Sequence, residues 1–285
     1  MKPMTSTDPI LVIGGTGKTG RRVAARLAAQ VVPVRIGSRT GTPPFDWEDP
    51  ATWEPALRGA TAAYVSYFPD LAVPGAAKLV GTVAAIAARL GITRLVLLSG
   101  RGEEEAEHAE HAVWDAVPSA TVLRCSWFAQ NFSEGYLLDG VLAGELALPV
   151  GPVPEPFVDV DDIAEIAVAA LTEDGHAGQL YELTGARALT FAEAVEEIAR
   201  ASGRPVRFTT VSMSEFAAEM AVAGVPDDVV QLLAYLFGEV LDGRNVSVGD
   251  GVQRALGRPA RDFRAFAENN FEAWASPKRT SSATG

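Results

Sequence analysis

Short, continuous runs of Val, Ile and Leu recur through the first half of the chain, and longer stretches with helical spacing separate them. The apolar runs predict strands at 10–13, 31–36, 62–66, 94–99 and 121–124. The stretches between them predict helices at 19–30, 52–57, 76–90 and 103–116. Uninterrupted apolar strands are typical of parallel sheets whose two faces are both covered by helices. The alternation therefore predicts an α/β fold with a doubly wound parallel sheet.

The pattern changes beyond about residue 130, where prolines punctuate a loop at 149–156. Helix starts then follow, each with a capping residue and a Glu three positions later. These pairs are Asp162 and Glu165, Thr190 and Glu193, and Ser212 and Glu215. Pro226 opens another helix, rich in Leu and Val. We expect a smaller, mostly helical C-terminal lobe beside the sheet.

Composition and charge narrow the classes of protein. Of 285 residues, 48% are hydrophobic, which excludes disorder as the main state. The net charge is −12 and no basic cluster is present, so a nucleic-acid partner is not expected. Cys125 is the single cysteine, and His108 and His111 have no third ligand nearby, so no metal is expected. The polar start and the absence of a long apolar run predict a soluble, cytoplasmic protein without a membrane partner.

A glycine-rich turn joins the first predicted strand to the first helix. Its glycines follow the pattern Gly14-x-x-Gly17-x-x-Gly20. Glycines at such a turn let the backbone approach a pyrophosphate, which then lies on the N-terminus of the helix. A nucleotide-triphosphate loop would need glycine where Val12 stands. The turn therefore predicts a dinucleotide-binding Rossmann sheet, with contacts from Gly14, Gly15, Thr16, Gly17, Lys18 and Thr19.

The end of the second predicted strand bears on the choice of dinucleotide. An NAD site usually carries an acidic residue there to hold the ribose 2′-hydroxyl. This chain has Ser38 and Arg39 in the corresponding segment and no acid. Arg39 is either a solvated loop side chain or a partner for a 2′-phosphate. We expect NADP(H) to be favoured over NAD(H).

Several motifs together resemble the NmrA-like branch of the atypical short-chain dehydrogenases, over about residues 10–274. They are the glycine-rich turn, Phe45-Asp46-Trp47, Leu98-Ser99-Gly100, the segment 123–132 from Leu to Phe, the segment 157–164 and Glu182-Leu183-Thr184-Gly185. Along the chain we expect a flexible start at 1–8, an NAD(P)-binding domain at 9–150 with strands returning at about 155–185, a smaller substrate lobe at 151–275 and a flexible tail at 276–285. A homodimer is also expected.

The same resemblance assigns roles to particular side chains. Asp46 and Trp47 would lie by the adenine, and Ser66, Tyr67 and Phe68 along the cofactor. Ser99 and Gly100 would flank the nicotinamide. Trp127, Phe128 and Asn131 would border the substrate pocket, although core packing is an equally good interpretation of the two aromatic residues. Asp162 is interpreted as a helix cap.

The chain departs from ordinary short-chain dehydrogenases at the proton donor. Their Tyr-x-x-x-Lys pair would fall at Gly102 and Ala106, and neither residue can hold a proton. The acids from Glu103 to Glu107 are expected to form a solvated helix start. If a donor exists, Ser99, Tyr67 and Tyr136 are the candidates.

Two functions fit these observations. The first is an NAD(P)H-dependent reductase of a small organic electrophile, best an imine or iminium ion, otherwise a quinone or enone. Members of the family that reduce iminium ions have a similar start, and an iminium ion needs no proton donor. The second is a redox sensor that binds the dinucleotide without turnover, which the missing donor supports equally well.

Overall fold

The structure, a computed structural model, describes residues 8–275; the predicted flexible tail at 276–285 and all but the last residue of the predicted flexible start at 1–8 lie outside the described residues. The strands in chain order are β1 (Ile10–Ile13), β2 (Val34–Gly37), β3 (Ala62–Val65), β4 (Leu95–Gly100), β5 (Thr121–Cys125), β6 (Glu145–Leu148), β7 (Leu180–Leu183) and β8 (Arg207–Thr210). Six of them form one sheet in the order β2-β1-β3-β4-β5-β7, and every neighbouring pair is parallel. The predicted doubly wound parallel sheet is confirmed.

Helices cover both faces of this sheet and form most of the remaining structure. They are α1 (Lys18–Ala29), α2 (Trp53–Leu57), α3 (Ala76–Arg89), α4 (Glu104–Ala116), α5 (Asn131–Glu134), α6 (Leu138–Ala143), α7 (Val160–Thr172), α8 (Phe191–Ser202), α9 (Met213–Val222), α10 (Asp227–Tyr235), α11 (Gly251–Leu256) and α12 (Phe263–Asn269). A π-helical turn at Leu236–Val240 extends α10. Within residues 8–275, no helix combines the length and apolar character that crossing a membrane requires.

The strands explain why their apolar runs are continuous rather than alternating. In β1, Leu11 and Ile13 face the core formed with α2, α3 and α4, whereas Ile10 and Val12 face the core formed with α1 and α7. Successive side chains point to opposite faces of a strand, so burial of both faces requires an apolar residue at every position. All four residues of β1 are 0% exposed.

Two predicted boundaries are wrong. The second strand begins at Val34 instead of 31, because Val31 adopts a left-handed φ of 59° and is exposed, and Pro33 has no N–H to donate. The helix expected to begin at Asp162 begins at Val160, because Asp159 is its cap and accepts the N–H of Asp161.

Asp162 is therefore not a cap but a buried anchor between α7 and the segment before α12. Its side chain is 0% exposed and accepts hydrogen bonds from the guanidinium of Arg258 at 2.8 Å and the backbone N–H of Arg261 at 2.8 Å. The Arg261 guanidinium also pairs with it. The predicted caps Thr190 and Ser212 are confirmed as full capping boxes.

A third core forms the mostly helical C-terminal lobe. It combines α8, α12 and the end of α10 with a two-stranded parallel sheet of β6 and β8. Phe132 and Leu146, which precede residue 150, also pack into this core. The division of the chain at residues 150 and 151 stays a prediction.

Candidate active site

The glycine-rich turn lies where the sheet order reverses between β1 and β3. Gly14 follows β1 with a left-handed φ of +73°, and its N–H donates to the carbonyl of Gly37 at 3.0 Å. A Cβ at Gly14 would lie 3.1 Å from the Cβ of Ser66, which follows β3. In open parallel sheets, ligands bind in the crevice at this reversal. The turn thus has the position and the small residues that a dinucleotide needs.

The rest of the turn shapes the N-terminus of α1. A Cβ at Gly20 would lie 2.2 Å from the carbonyl oxygen of Gly14, so helix and turn pack too closely for any side chain there. Gly17 caps α1 without a side-chain hydrogen bond, and the first turn of α1 holds no acid. Thr16 and Gly17 are exposed, whereas Gly15 and Thr19 are buried. The helix N-terminus is therefore open to an anion.

The loop after β2 carries the residues that distinguish the two dinucleotides. Arg39 is exposed, and within residues 8–275 its guanidinium has no ion-pair or hydrogen-bond partner. Ser38 lies beside it, with its Oγ 3.4 Å from the hydroxyl of Thr40. Asp46 is less free, because its carboxylate accepts the N–H of Glu48 at 3.1 Å.

Trp47 and Tyr67 pack against each other on the β2 side of the crevice, with ring centroids 4.8 Å apart. Burial and the nearby Glu48 raise the pKa of Tyr67. Phe68 follows Tyr67 and is 77% exposed. Tyr67, one of the candidate proton donors, therefore lies beside Trp47, where the adenine is expected, rather than beside the expected nicotinamide position.

Lys18 reaches across the crevice from α1 to α5. Its Nζ donates to Oδ1 of Asn131 at 2.5 Å, which joins two residues that the sequence assigned to different parts of the site. Burial and the neighbouring charges of Arg21 and Arg22 lower the pKa of Lys18 to about 8. An anion near this lysine would favour its charged form.

Ser99 lies in β4, and its hydroxyl is committed to a buried acid. Its Oγ donates to Oε1 of Glu110 at 2.6 Å, and Glu110 is 0% exposed. The Arg124 guanidinium pairs with the same carboxylate through two nitrogens, one of them at 2.9 Å. As a proton donor, Ser99 would have to give up its hydrogen bond to a paired carboxylate.

Glu103 corrects the expectation of a solvated helix start. Its neighbours Glu104 and Glu107 are exposed, but Glu103 is only 8% exposed, because its side chain turns back onto Gly100. A Cβ at Gly100 would lie 2.2 Å from the Glu103 carboxyl group. The glycine in the Leu-Ser-Gly motif thus makes room for a carboxyl group. The side chain of Asp70, which follows β3, lies near Glu103 and helps to raise the pKa of its carboxyl group.

Aromatic side chains line the boundary between the two lobes. Trp127 packs against Phe237 with ring centroids 5.0 Å apart, and Tyr136 contacts both rings from 6.4 to 6.5 Å. Tyr136 exposes 46% of its surface, yet burial of its hydroxyl and the charge of Asp70 raise its pKa. Tyr136 is thus reached by solvent on one side and surrounded by protein atoms on the other, as expected for a side chain that lines a cleft. Phe128 instead packs against the core beneath the sheet.

Curated proteins of full length align with this chain. It is 34% identical over 284 residues to the uncharacterized oxidoreductase YesF of Bacillus subtilis, covering 96% of the chain and 99% of the relative. The chain belongs to the NmrA-like family of atypical short-chain dehydrogenases/reductases. This NmrA-like protein is also 33% identical to a (4-alkanoyl-5-oxo-2,5-dihydrofuran-3-yl)methyl phosphate reductase of Streptomyces griseus (93% of the chain, 99% of the relative). Agroclavine dehydrogenase of Claviceps fusiformis is 30% identical (93% and 98%). No protein-family profile matches the chain.

Solved structures agree with the family's fold. The NADPH-dependent quinone oxidoreductase QOR2 of Escherichia coli, complexed with NADPH, superposes with a TM-score of 0.74 at 22% identity, over 92% of this chain and 99% of that one. NmrA, a negative transcriptional regulator, superposes with a TM-score of 0.69 at 16% identity, over 94% and 96%. The NmrA-like protein is an NAD(P)H-dependent oxidoreductase, so the expectation of an enzyme is confirmed.

The sequence analysis missed Asp70 and misplaced Glu103. Asp70 lies in a Pro-flanked loop without a motif of its own, and Glu103 is the first of three consecutive glutamates. Nothing in their spacing distinguishes the buried acid from its exposed neighbours. The one available signal is that Glu103 stands three residues after the glycine that ends β4. Within residues 8–275, no three His, Cys, Asp or Glu side chains converge as metal ligands would.

Proposed function

We propose that this oxidoreductase prefers NADPH and reduces a small organic electrophile: an imine or iminium ion, or alternatively a quinone or enone. The observation that carries the cofactor preference is the unpartnered guanidinium of Arg39 at the end of β2, where no acid stands to hold a ribose 2′-hydroxyl. A charge-assisted pair with a phosphate would give Arg39 the partner that it lacks.

The described residues fit a bound dinucleotide. Gly14 and Ser66 approach each other so closely that the crevice floor is backbone and small side chains. The open N-terminus of α1 at Gly17 and the ammonium group of Lys18 would hold the pyrophosphate. Bound NADPH supplies the hydride, while the protein orients the reactants and excludes water.

The substrate would lie between the end of β4 and the C-terminal lobe. The Trp127 and Tyr136 rings offer an apolar wall there, which suits a planar electrophile. Proteins named agroclavine dehydrogenase and quinone oxidoreductase are among the chain's relatives and structural neighbours, and these names support the substrate class. Location in the cytoplasm and a homodimer stay predictions.

The test is a substrate panel. Purified protein is mixed with NADPH or NADH and with imines, iminium salts, quinones and enones, and cofactor oxidation is followed by its absorbance. We expect oxidation with at least one class, faster with NADPH. Absence of oxidation with every class would contradict the proposal.

A further inference from the structure

Two acidic side chains, Asp70 and Glu103, meet at the carboxyl ends of β3 and β4. Glu103 precedes α4 yet accepts no N–H from that helix. Instead its carboxyl group lies flat on the backbone of Gly100, 2.2 Å from where a Cβ would be. The carboxyl group therefore lies against the last residue of β4, and the family resemblance places the nicotinamide beside that residue.

The surroundings of the two carboxyl groups favour a single proton between them, held on Glu103. Burial and the adjacent Asp70 raise the pKa of Glu103 well above its usual range. Burial also raises the pKa of Asp70, but Asp70 keeps the charge because its Oδ1 accepts the N–H of Ala72 at 2.9 Å.

Within residues 8–275, the charged groups that act on the pKa of Glu103 are carboxylates, which disfavour its ionised form. Besides Asp70, the ionisable groups near Glu103 are Glu110 of α4, Cys125 of β5 and Tyr235 of α10. The adjacent Arg101 turns away and donates to the carbonyls of Asn245 and Ser247, each at 2.8 Å. Glu103 therefore stays protonated over a pH range in which an exposed glutamate is ionised.

One oxygen of the Glu103 carboxyl group lacks a hydrogen-bond partner among residues 8–275. This oxygen, Oε2, is buried. Leaving a buried polar atom unpaired costs about 1–3 kcal/mol, and such atoms in native structures often mark a missing ligand. Tyr136, accessible and close to Asp70, marks the opening of the cleft on this side.

We propose that Glu103 is the proton donor of this reductase and that Asp70 is the positioning residue that keeps the proton on it. The inference rests on the proposed function and adds a substrate class, namely neutral acceptors such as quinones and enones. An enone would gain a hydride on its β-carbon from bound NADPH and a proton on its oxygen from Glu103, and the resulting enol rearranges to the ketone. A quinone would gain one hydride and one proton in the same way and end as the hydroquinone, with both hydrogens on oxygen. Either acceptor is thereby reduced by two electrons, the cofactor is oxidised to NADP⁺, and Glu103 is left as a carboxylate that regains its proton from water.

The kinetic test compares acceptors that need a proton with one that does not. Single-turnover NADPH oxidation is measured with menadione, cyclohexenone and an N-methyliminium salt. Positioned acid catalysis contributes about 10²- to 10⁴-fold, so Glu103→Gln should slow the two neutral acceptors by about that factor. The loss with the iminium salt should be smaller by about tenfold or more. Glu104→Gln, an exposed neighbour on the same helix, is the matched control and should leave all three rates as in the wild type.

Asp70→Asn tests the positioning role through the pH profile. Removing its negative charge lowers the pKa of Glu103, so the pH at which the rate with menadione begins to fall should move downward. A profile identical to the wild type would overturn the role of Asp70. Equal losses for neutral and iminium acceptors in Glu103→Gln would overturn the donor role, even if the enzyme is an active reductase.

An infrared measurement reads the proton without turnover. The wild type near neutral pH should show the C=O stretch of protonated carboxyl groups. Glu155, whose pKa burial raises to about 7, contributes to this band as well, so the contribution of Glu103 is the part that is lost in Glu103→Gln but kept in Glu104→Gln. A band unchanged in Glu103→Gln would overturn the assignment of the proton. If no acceptor is reduced, the proposed function and the donor role both fail, while the infrared band still decides where the proton lies.

Discussion

Replacing Arg39 with Ala should weaken the binding of NADPH and leave the binding of NADH nearly unchanged. Arg39 is exposed and has no partner within residues 8–275, so its removal breaks no contact of the folded protein. A surface change of this kind alters stability by less than about 0.5 kcal/mol. Any loss of affinity can therefore be attributed to the missing contact with the ligand.

The expected size follows from the kind of contact. A hydrogen bond to a charged group contributes about 1.5–3 kcal/mol, and about 1.4 kcal/mol corresponds to a tenfold change in Kd. We expect the Kd for NADPH to rise about ten- to a hundred-fold. NADH has a hydroxyl in place of the 2′-phosphate and should lose much less.

The assay is isothermal titration of each cofactor into the wild type, Arg39→Ala and a control. Arg58→Ala is a suitable control, because Arg58 is also an exposed arginine near the sheet and pairs only at the surface with Glu54, at 2.5 Å. It corrects for the change in net charge. Equal losses of NADPH and NADH affinity in Arg39→Ala would refute the assignment of the 2′-phosphate contact.

Three further predictions concern the turn, its lysine and the buried anchor. Gly17→Val should fold, because Gly17 has an ordinary φ of −77°, although its Cβ would lie 3.2 Å from the Gly14 oxygen and the turn must shift by a few tenths of an ångström to hold it. The variant should abolish dinucleotide binding, and a native circular dichroism spectrum with micromolar affinity would contradict this. The affinity for NADPH should fall as the pH rises through about 8, the pKa of Lys18, because the lysine then loses its positive charge. Lys18→Met should bind NADPH weakly and without this pH dependence. A wild-type Kd that does not change with pH would contradict the role of Lys18. Asp162→Ala should lower the free energy of unfolding, measured in urea, by about 3 kcal/mol. Asp161→Ala, which removes a half-exposed neighbouring carboxylate, should lower it by about 1 kcal/mol or less. Equal losses in the two variants would contradict the anchor role.

The Glu103 carboxyl group also links pH to stability. Its pKa is higher in the folded protein than in the unfolded chain, so burial of the neutral form is tolerated at low pH. As the pH rises toward the folded pKa, the unfolded chain ionises first and the wild type loses stability. The Glu103→Gln variant carries no proton to lose. We expect the melting temperature of Glu103→Gln, relative to that of the wild type, to increase as the pH rises. A difference that stays constant with pH would contradict the assignment of a protonated carboxyl group to Glu103.

Apolar runs along the chain predict five of the six strands of the large sheet, and the sixth, β7, was expected only as part of the returning segment at about 155–185. The apolar runs placed β1, β3, β4 and β5 within one or two residues of their bounds, because burial on both faces of a strand leaves no room for polar residues. The second strand failed at its start, because Val31 and Val32 are as apolar as a strand but precede Pro33. The apolar composition of this segment does not show that Val31 adopts a left-handed conformation two residues before Pro33.

The candidate site was only partly predictable. The glycine-rich turn can be recognised in the sequence because its glycines are required by close contacts within the turn itself. At Gly20, for example, a Cβ would lie 2.2 Å from the Gly14 oxygen. By contrast, the burial of Glu103 depends on Gly100 and on Asp70, more than thirty residues earlier in the sequence. Long-range pairs of this kind leave no periodic trace. The same holds for Lys18 and Asn131, which the fold brings within 2.5 Å across the crevice.

The central claim is that the protein transfers a hydride from NADPH to a small organic electrophile. Its most direct test uses NADPH deuterated on the transferable position of the nicotinamide, with product analysis by mass spectrometry. With an imine, iminium or enone acceptor, the reduced carbon of the product should carry the deuterium, and NADP⁺ and product should form in equal amounts. With a quinone, both added hydrogens end on oxygen and exchange with water, so only the yields of NADP⁺ and hydroquinone are compared. Unlabelled amine or ketone, or NADPH that stays intact with every acceptor, would contradict the claim.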